Sequence, residues 1–314
     1  MSKEKKVDSG FVQPALQQAD CCVQPFVKFH LGDGVAGLAS IKSNSVKCVM
    51  IDPPYLYLKG QKLEREFDEW LYFSKVKRVL LDNGFIVLFG RGNSFYRWNT
   101  ILHQLGFSFK EEIIWNKAYN SSPVTPINRV HETISIYSKK NGSLNLSFVP
   151  YIKIKKDIKS IQQDIKRIKS ALNNTLEFDD LCKYLDTGFV DYKDENRTLG
   201  NNTTVQTAMS QQSRGVKTMQ AIKRGMKEKS IIDENRDHYE TIHPTQKPVS
   251  LLKRLLLLTT SKGDLVVDTF AGSCSTGIAC QGMERNFEGW EIDKEYYEKS
   301  VQRIKKNHVQ FEMF

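Results

Sequence analysis

The stretch Val46–Tyr55, V-K-C-V-M-I-D-P-P-Y, leaves this chain few folds to choose from. Val46 to Ile51 is apolar everywhere except Lys47, which suits a strand buried on both faces of a parallel sheet. Pro53 and Pro54 have no N–H to offer a ladder, so the strand must end at Asp52. A carboxylate, a stiff turn with free carbonyls and the Tyr55 ring therefore come together at the carboxyl end of a parallel strand. Open α/β sheets bind their ligands at that edge.

The flanking sequence repeats the theme. Phe26–Leu31 reads as a strand ending in Gly32-Asp33-Gly34, and Val35–Ile41 as a short helix leading to the central strand. The unit has the pattern of a βαβ element, with Asp33 and Asp52 closing its strands on one edge. A helix over Glu66–Leu81, a strand over Gly84–Gly90, a helix near Ser94–Leu105 and strands near Phe107–Trp115 and Glu132–Tyr137 follow. The alternation resumes at His243, with a helix from Pro248 to about Thr260 and a strand over Asp264–Val267. A Gly-rich turn and helix, a strand over Phe287–Ile292 and a helix over Lys294–Lys306 complete it. The expected fold is α/β, a doubly wound and mostly parallel sheet with late antiparallel additions.

Composition divides the chain into a polar N-terminal arm (1–25), a first core half (26–140), an insert (141–240) and a second core half (241–314). In the insert, Ile154, Ile158, Ile161, Ile165, Ile168 and Leu172 follow a heptad spacing, which predicts one long helix over Tyr151–Leu172. That stripe packs within the insert or forms a homodimer seam. The insert is expected to be mainly helical, with a further short helix near Phe178–Leu185 and a polar segment over Asn196–Ser213.

The chain of 314 residues carries a formal charge of +10, and much of the basic excess falls on the insert. Lys155, Lys159, Arg167, Arg214, Lys217 and Arg224 are candidates for neutralising phosphates, against the plainer reading of a solvated face. Gln206, Gln211 and Gln212 are residue types that read base edges. The Leu255–Leu258 run is too short to cross a bilayer, and the opening M-S-K-E-K-K has no apolar segment behind it, so a cytoplasmic location is expected. Six cysteines show no zinc-like spacing, so no metal is expected and the thiols read as reduced.

The second chemical feature is the turn Asp268-Thr269-Phe270-Ala271-Gly272-Ser273, where a strand ends and a helix begins. Small residues let the backbone approach a ligand, and the helix start favours negative charge. Glu291 ends the next strand, a position from which an acid reaches ribose hydroxyls. The turn is neither a P-loop nor G-x-G-x-x-G, which argues against a nicotinamide dinucleotide.

Taken in order, Asp52-Pro53-Pro54-Tyr55, His243-Pro244-Thr245-Gln246-Lys247-Pro248, Asp268–Gly272 and Glu291-Ile292-Asp293 resemble the motifs of the amino-group DNA methyltransferases. The catalytic motif precedes the cofactor motif, as in the circularly permuted β group, whose target-recognition domain lies between them. The resemblance covers roughly 29–137 and 241–305. It implies a class I methyltransferase fold, S-adenosylmethionine as cofactor and double-stranded DNA as substrate. It further implies Asp52, Pro53, Pro54 and Tyr55 as the catalytic group, Asp33 at the adenine amine of the cofactor and Glu291 at its ribose. Asp268 is implied near the methionine ammonium, Phe270 and Gly272 on the adenine side and loop, and Lys247 at the methionine carboxylate. Two departures stand out: Thr269 where the family usually has proline, and Cys274 where it has a second glycine.

The chemistry fits these residue types. An exocyclic amine on a nucleobase is a poor nucleophile because its lone pair is delocalised into the ring. Acceptors that pull on its N–H protons restore the lone pair, and Asp52 with the Pro53 carbonyl can do so. Tyr55 offers a face for a base taken out of the duplex. Asp at the first catalytic position is associated with adenine-N6 enzymes, and Ser with cytosine-N4 enzymes, the alternative target. An RNA or protein methyltransferase and a non-catalytic nucleic-acid binder are the rival classes.

Overall fold

The computed structural model describes residues 25–55, 65–117, 126–155, 157–171, 217–236 and 241–312. Strand β1 (Val27–Leu31) leads to helix α1 (Gly34–Gly37) and a turn of 3-10 helix, followed by β2 (Val46–Ile51), α2 (Glu69–Val79) and β3 (Leu80–Gly90). Then come α3 (Gly92–Gln104), β4 (Ser108–Asn116) and β5 (His131–Ser138). The described part of the insert contains β6 (Phe148–Val149), α4 (Tyr151–Ile154), α5 (Ile158–Ala171), α6 (217–224), β7 (Met226–Lys227) and β8 (Ile231–Asp233). The chain continues through α7 (Val249–Thr259), β9 (Leu265–Asp268), α8 (Ser275–Gln281), β10 (Asn286–Glu291) and α9 (Lys294–Glu312).

Eight strands form one sheet in the order β1-β10-β9-β2-β3-β5-β4-β8. The first five run parallel, β5 is antiparallel to both its neighbours, and β8 lies parallel to β4. The expected doubly wound, mostly parallel sheet is thus found. The strands on either side of α1 are not neighbours, however. Two strands from the far end of the sequence, β10 and β9, stand between β1 and β2. All four still point the same way, so Asp33, Asp52, Asp268 and Glu291 emerge on a common edge.

Alternating residues of β2 feed the two faces. Cys48 and Met50 pack with Leu251, Leu252 and Leu255 of α7, while Val49 and Ile51 pack with Tyr72, Phe73 and Val76 of α2. This two-sided burial is why the strand is apolar throughout, each large side chain contributing roughly 1.5–3 kcal/mol. Helix α2 starts three residues later than expected because the Asp68 carboxylate accepts from Leu71 N at 2.9 Å and caps it.

The single long helix expected over 151–172 is not formed. Helix α4 ends at Ile154, and Asp157 starts α5 by accepting from Lys159 N and Ser160 N, both at 3.0 Å. A local cap overrides the heptad pattern. The stripe is used inside the chain: Ile161, Ile165 and Ile168 pack against Tyr151, Met219 and Ile222. The described part of the insert also contributes strand β8 to the main sheet beside β4, an addition to the mainly helical unit expected. The segments over 178–185 and 196–213, with Gln206, Gln211 and Gln212, lie outside the described residues, as does most of the 1–25 arm.

Candidate active site

The four-residue corner after β2 is held from several sides. Ser94 donates to the Tyr55 carbonyl at 2.6 Å, and the Tyr55 ring lies 6.0 Å from Trp98. Tyr55 Oη donates to Asp52 Oδ1 at 2.5 Å. Lys247 Nζ donates to Asp52 Oδ2. Pro53 is buried and Pro54 half-buried, and neither has a backbone proton to compete for Asp52.

Lys247 arrives from the His243–Pro248 loop, where Pro248 immediately precedes α7. Its ammonium is also 3.2 Å from Glu132 Oε2, and Glu132 Oε1 in turn accepts from Lys117 Nζ at 2.9 Å. Two acids and two lysines thereby form a chain of ion pairs whose side chains are between 3% and 19% exposed. Burial pushes the Asp52 carboxyl up and the Lys247 ammonium opposes that rise. Burial also opposes the charge on Glu132, but Lys247 and Lys117 together hold its carboxyl at about 2. Lys247 stays charged, because its two acid neighbours outweigh the cost of burying it. The resemblance implies Lys247 at a cofactor carboxylate; its ammonium here faces Asp52 and Glu132.

On the next strand, Asp268 Oδ1 accepts from Phe270 N at 3.0 Å and Oδ2 accepts from Thr276 Oγ1 at 2.7 Å. Burial, with Asp52 and Glu291 adding like charge, pushes its carboxyl up to about 7. Glu291 accepts from Asp293 N at 2.7 Å, and Gly32 N donates to the Glu291 carbonyl at 2.8 Å. Burial raises Glu291 as well, against the backbone N–H groups of Asp293, Gly272 and Ile292. Asp33 caps α1 by accepting from Val35 N at 2.8 Å. Gly34 follows because a Cβ there would sit 2.1 Å from the Thr269 carbonyl oxygen.

Cys274 is accommodated in the Gly-rich turn. Gly272 and Cys274 both take left-handed conformations, at φ +52° and +55°. A non-glycine residue there costs roughly 1–2 kcal/mol. The thiol is fully buried over Gly277, where a Cβ would lie 2.6 Å from its sulfur. Burial of a small side chain in a space left by Gly277 offsets the backbone strain. Ser300 and Arg303 of α9 hold the turn from behind by donating to the carbonyls of Gly272 and Ser273, each at 2.9 Å.

Asp52, Lys247, Asp268, Phe270 and Gly272 line one cleft with His243, Ala271, Ser273 and Ser275, and Glu291 abuts it through Gly272. Two buried acids on one sheet edge, Asp268 and Glu291, favour a cationic ligand, and the small residues beside them allow close approach. A ligand bearing a sulfonium, an ammonium group and ribose hydroxyls fits these acceptors. Among the described residues, no cluster of three or more His, Cys, Asp or Glu side chains could hold a metal ion. No helix among them is long and apolar enough to cross a membrane.

Of the basic residues, Lys159, Lys217 and Arg224 are exposed, whereas Lys155 pairs with Asp164 at 3.5 Å. The Arg167 side chain and all of Arg214 lie outside the described part of the structure. Glu132, Lys117 and Tyr72, which shares a 2.6 Å hydrogen bond with Thr269, are parts of the site not singled out from sequence. The available signal was Glu132, the acid near the start of the strand H-E-T-I-S-I-Y, ahead of its apolar positions Ile134, Ile136 and Tyr137. His243 is wedged against Tyr296, ring centroids 4.4 Å apart, and burial with the Lys247 charge lowers it to about 4.

Residues 46–302 match the DNA methylase family. The chain is similar to the DNA adenine methyltransferase YhdJ of Escherichia coli K12, with 28% identity over 87% of this chain and 81% of that protein. Its fold is similar to that of M1.HpyAVI in complex with SAM, at a TM-score of 0.50 and 19% identity, covering 89% of this chain and 99% of the other. The PvuII cytosine-N4-specific DNA methyltransferase has a similar fold, at a TM-score of 0.52 and 14% identity, covering 91% and 94%.

Proposed function

The chain belongs to the DNA methylase family, and from that membership we propose that it methylates the N6 amino group of adenine in double-stranded DNA, using S-adenosylmethionine. The observation that carries the reading is the common edge on which Asp52, Asp268 and Glu291 meet around one cleft. When bound, S-adenosylmethionine supplies an electrophilic methyl group on its sulfonium. Glu291 and Asp33 would hold its ribose and adenine, Asp268 its ammonium, and Phe270 and Gly272 the adenine side and loop.

The protein's part is to position and polarise the amine. Asp52 accepts one N–H of the target and the Pro53 carbonyl the other, which draws the nitrogen lone pair out of the ring. Tyr55 orients the Asp52 carboxylate through one oxygen, and Lys247 occupies the other before the target amine arrives. The Tyr55 ring stacks on the extruded base and offsets part of the few kcal/mol that flipping costs. Asp52 then takes the proton released by the methylated amine.

The insert, 141–240, serves as the target-recognition domain in this reading. Lys155, Lys159, Arg167, Arg214, Lys217 and Arg224 lie along its basic segments and would bind phosphates. Adenine is preferred over cytosine because Asp occupies the first catalytic position and because of the similarity to YhdJ.

The test is label transfer from S-adenosylmethionine to duplex DNA, RNA and protein, followed by digestion of the DNA to nucleosides. N6-methyladenine in the duplex arm is expected. N4-methylcytosine alone would reverse the base assignment, and label confined to RNA or protein would reverse the substrate.

A further inference from the structure

Lys247 has two acids within reach, and only one of them is needed to neutralise it. Its ammonium donates to Asp52 Oδ2, while Glu132 Oε2 lies 3.2 Å away. That oxygen is buried and makes no hydrogen bond of good geometry among the described residues. A buried carboxylate oxygen left so has a strong pull on a neighbouring N–H. Lys117 holds the other oxygen of Glu132 at 2.9 Å and fixes the carboxylate in place. Asp52, meanwhile, has both oxygens engaged, one by Tyr55 and one by Lys247.

An incoming amine needs an open, well-directed lone pair on Asp52. We propose that Glu132 is a positioning residue for methyl transfer, receiving the Lys247 ammonium as the target amine takes its place on Asp52. This rests on the reading of Asp52 as the acceptor of the target amine. No covalent bond changes in this step; one hydrogen bond from Lys247 moves from Asp52 to Glu132.

The charges around the pair are consistent with such a hand-over. Asp52 faces Lys247, Glu132, Tyr55 and Asp268; Lys247 faces Asp52, Glu132 and His243; Glu132 faces Lys247 and Lys117. Glu132 remains ionised at neutral pH, so its charge also raises the basicity of Asp52. Removing that charge leaves Lys247 wholly on Asp52 and makes Asp52 a weaker base.

The experiment is the pH dependence of single-turnover methyl transfer onto duplex DNA, with cofactor affinity measured alongside, for wild type, Glu132→Gln, Glu132→Asp and Glu132→Gln/Lys117→Met. Glu132→Gln should slow transfer about tenfold or more and move the acid limb to lower pH. Cofactor affinity should hold, and Glu132→Asp should restore the limb. The double variant removes the cation stranded by Glu132→Gln and decides the matter if the single variant does not fold. A pH profile coincident with wild type in the double variant, or a loss confined to cofactor affinity or active fraction, overturns the proposal. Absence of transfer by the wild type overturns the functional reading itself, and the two failures are thereby told apart.

Discussion

The Tyr72 hydroxyl and Thr269 Oγ1 share a 2.6 Å hydrogen bond between α2 and the turn that follows β9. Both side chains are buried. The hydroxyl pair ties the Gly-rich turn to the opposite layer. Thr269→Val should cost about 1–3 kcal/mol, because it strands the Tyr72 hydroxyl in the core. Tyr72→Phe/Thr269→Val should recover most of that loss. Urea unfolding of the four members of the cycle measures the coupling; a double variant as unstable as the sum of the singles would show that the two groups act independently.

Asp52→Asn retains shape and removes the charge that receives the amine proton. Methyl transfer should fall by about 10²–10³ or more, while S-adenosylmethionine affinity by calorimetry stays near wild type. Lys247 keeps Glu132 as its counter-ion, so the variant should remain folded.

Asp268 has a folded pKa of about 7 against an ordinary 3.8, so the native state holds its proton through the range where the unfolded chain has lost it. Its contribution to stability is therefore full below about pH 4 and is lost as pH rises towards 7, on the order of 4 kcal/mol. Thermal melts of Asp268→Asn should lack that decline. Cofactor affinity should run the other way in the wild type, strengthening as Asp268 ionises through about pH 7, and Asp268→Asn should flatten the curve.

His243 behaves oppositely. Burial first, and the Lys247 charge second, lower it from 6.5 to about 4. The native histidine stays neutral where the unfolded one protonates, so this stability is present above about 6.5 and lost as pH falls towards 4, on the order of 3 kcal/mol. His243→Asn should be less sensitive to acid over that window in circular-dichroism melts.

Lys159 and Lys217 are exposed on the insert. Replacing each with alanine should weaken duplex binding evenly across sequences and reduce the slope of log K against log salt by about 0.9 for each phosphate no longer neutralised. Fluorescence anisotropy at several salt concentrations reads the slope; an unchanged slope would remove these lysines from the DNA interface.

Much of the sheet and half of the cleft are legible in the sequence alone. Val46–Ile51, the two prolines after Asp52, the small residues after Asp268 and the strand ending at Glu291 are all constraints acting over a few neighbouring residues. Backbone sterics and two-sided burial operate at that range, so the elements and the edge they share were legible. The same local reasoning failed at 151–172, where the heptad spacing is real but Asp157 interrupts the helix.

Partnership across the fold is a different matter. Lys247 and Asp52 are 195 positions apart, and Tyr72 and Thr269 are 197. Nothing in either stretch names the other, because their meeting depends on β10 and β9 being threaded between β1 and β2. Residue type and periodicity dictated which groups end each strand. Strand order, settled by how the two halves bury each other's apolar faces, decided that Asp52 is shared between Tyr55 and Lys247, with Glu132 beside it.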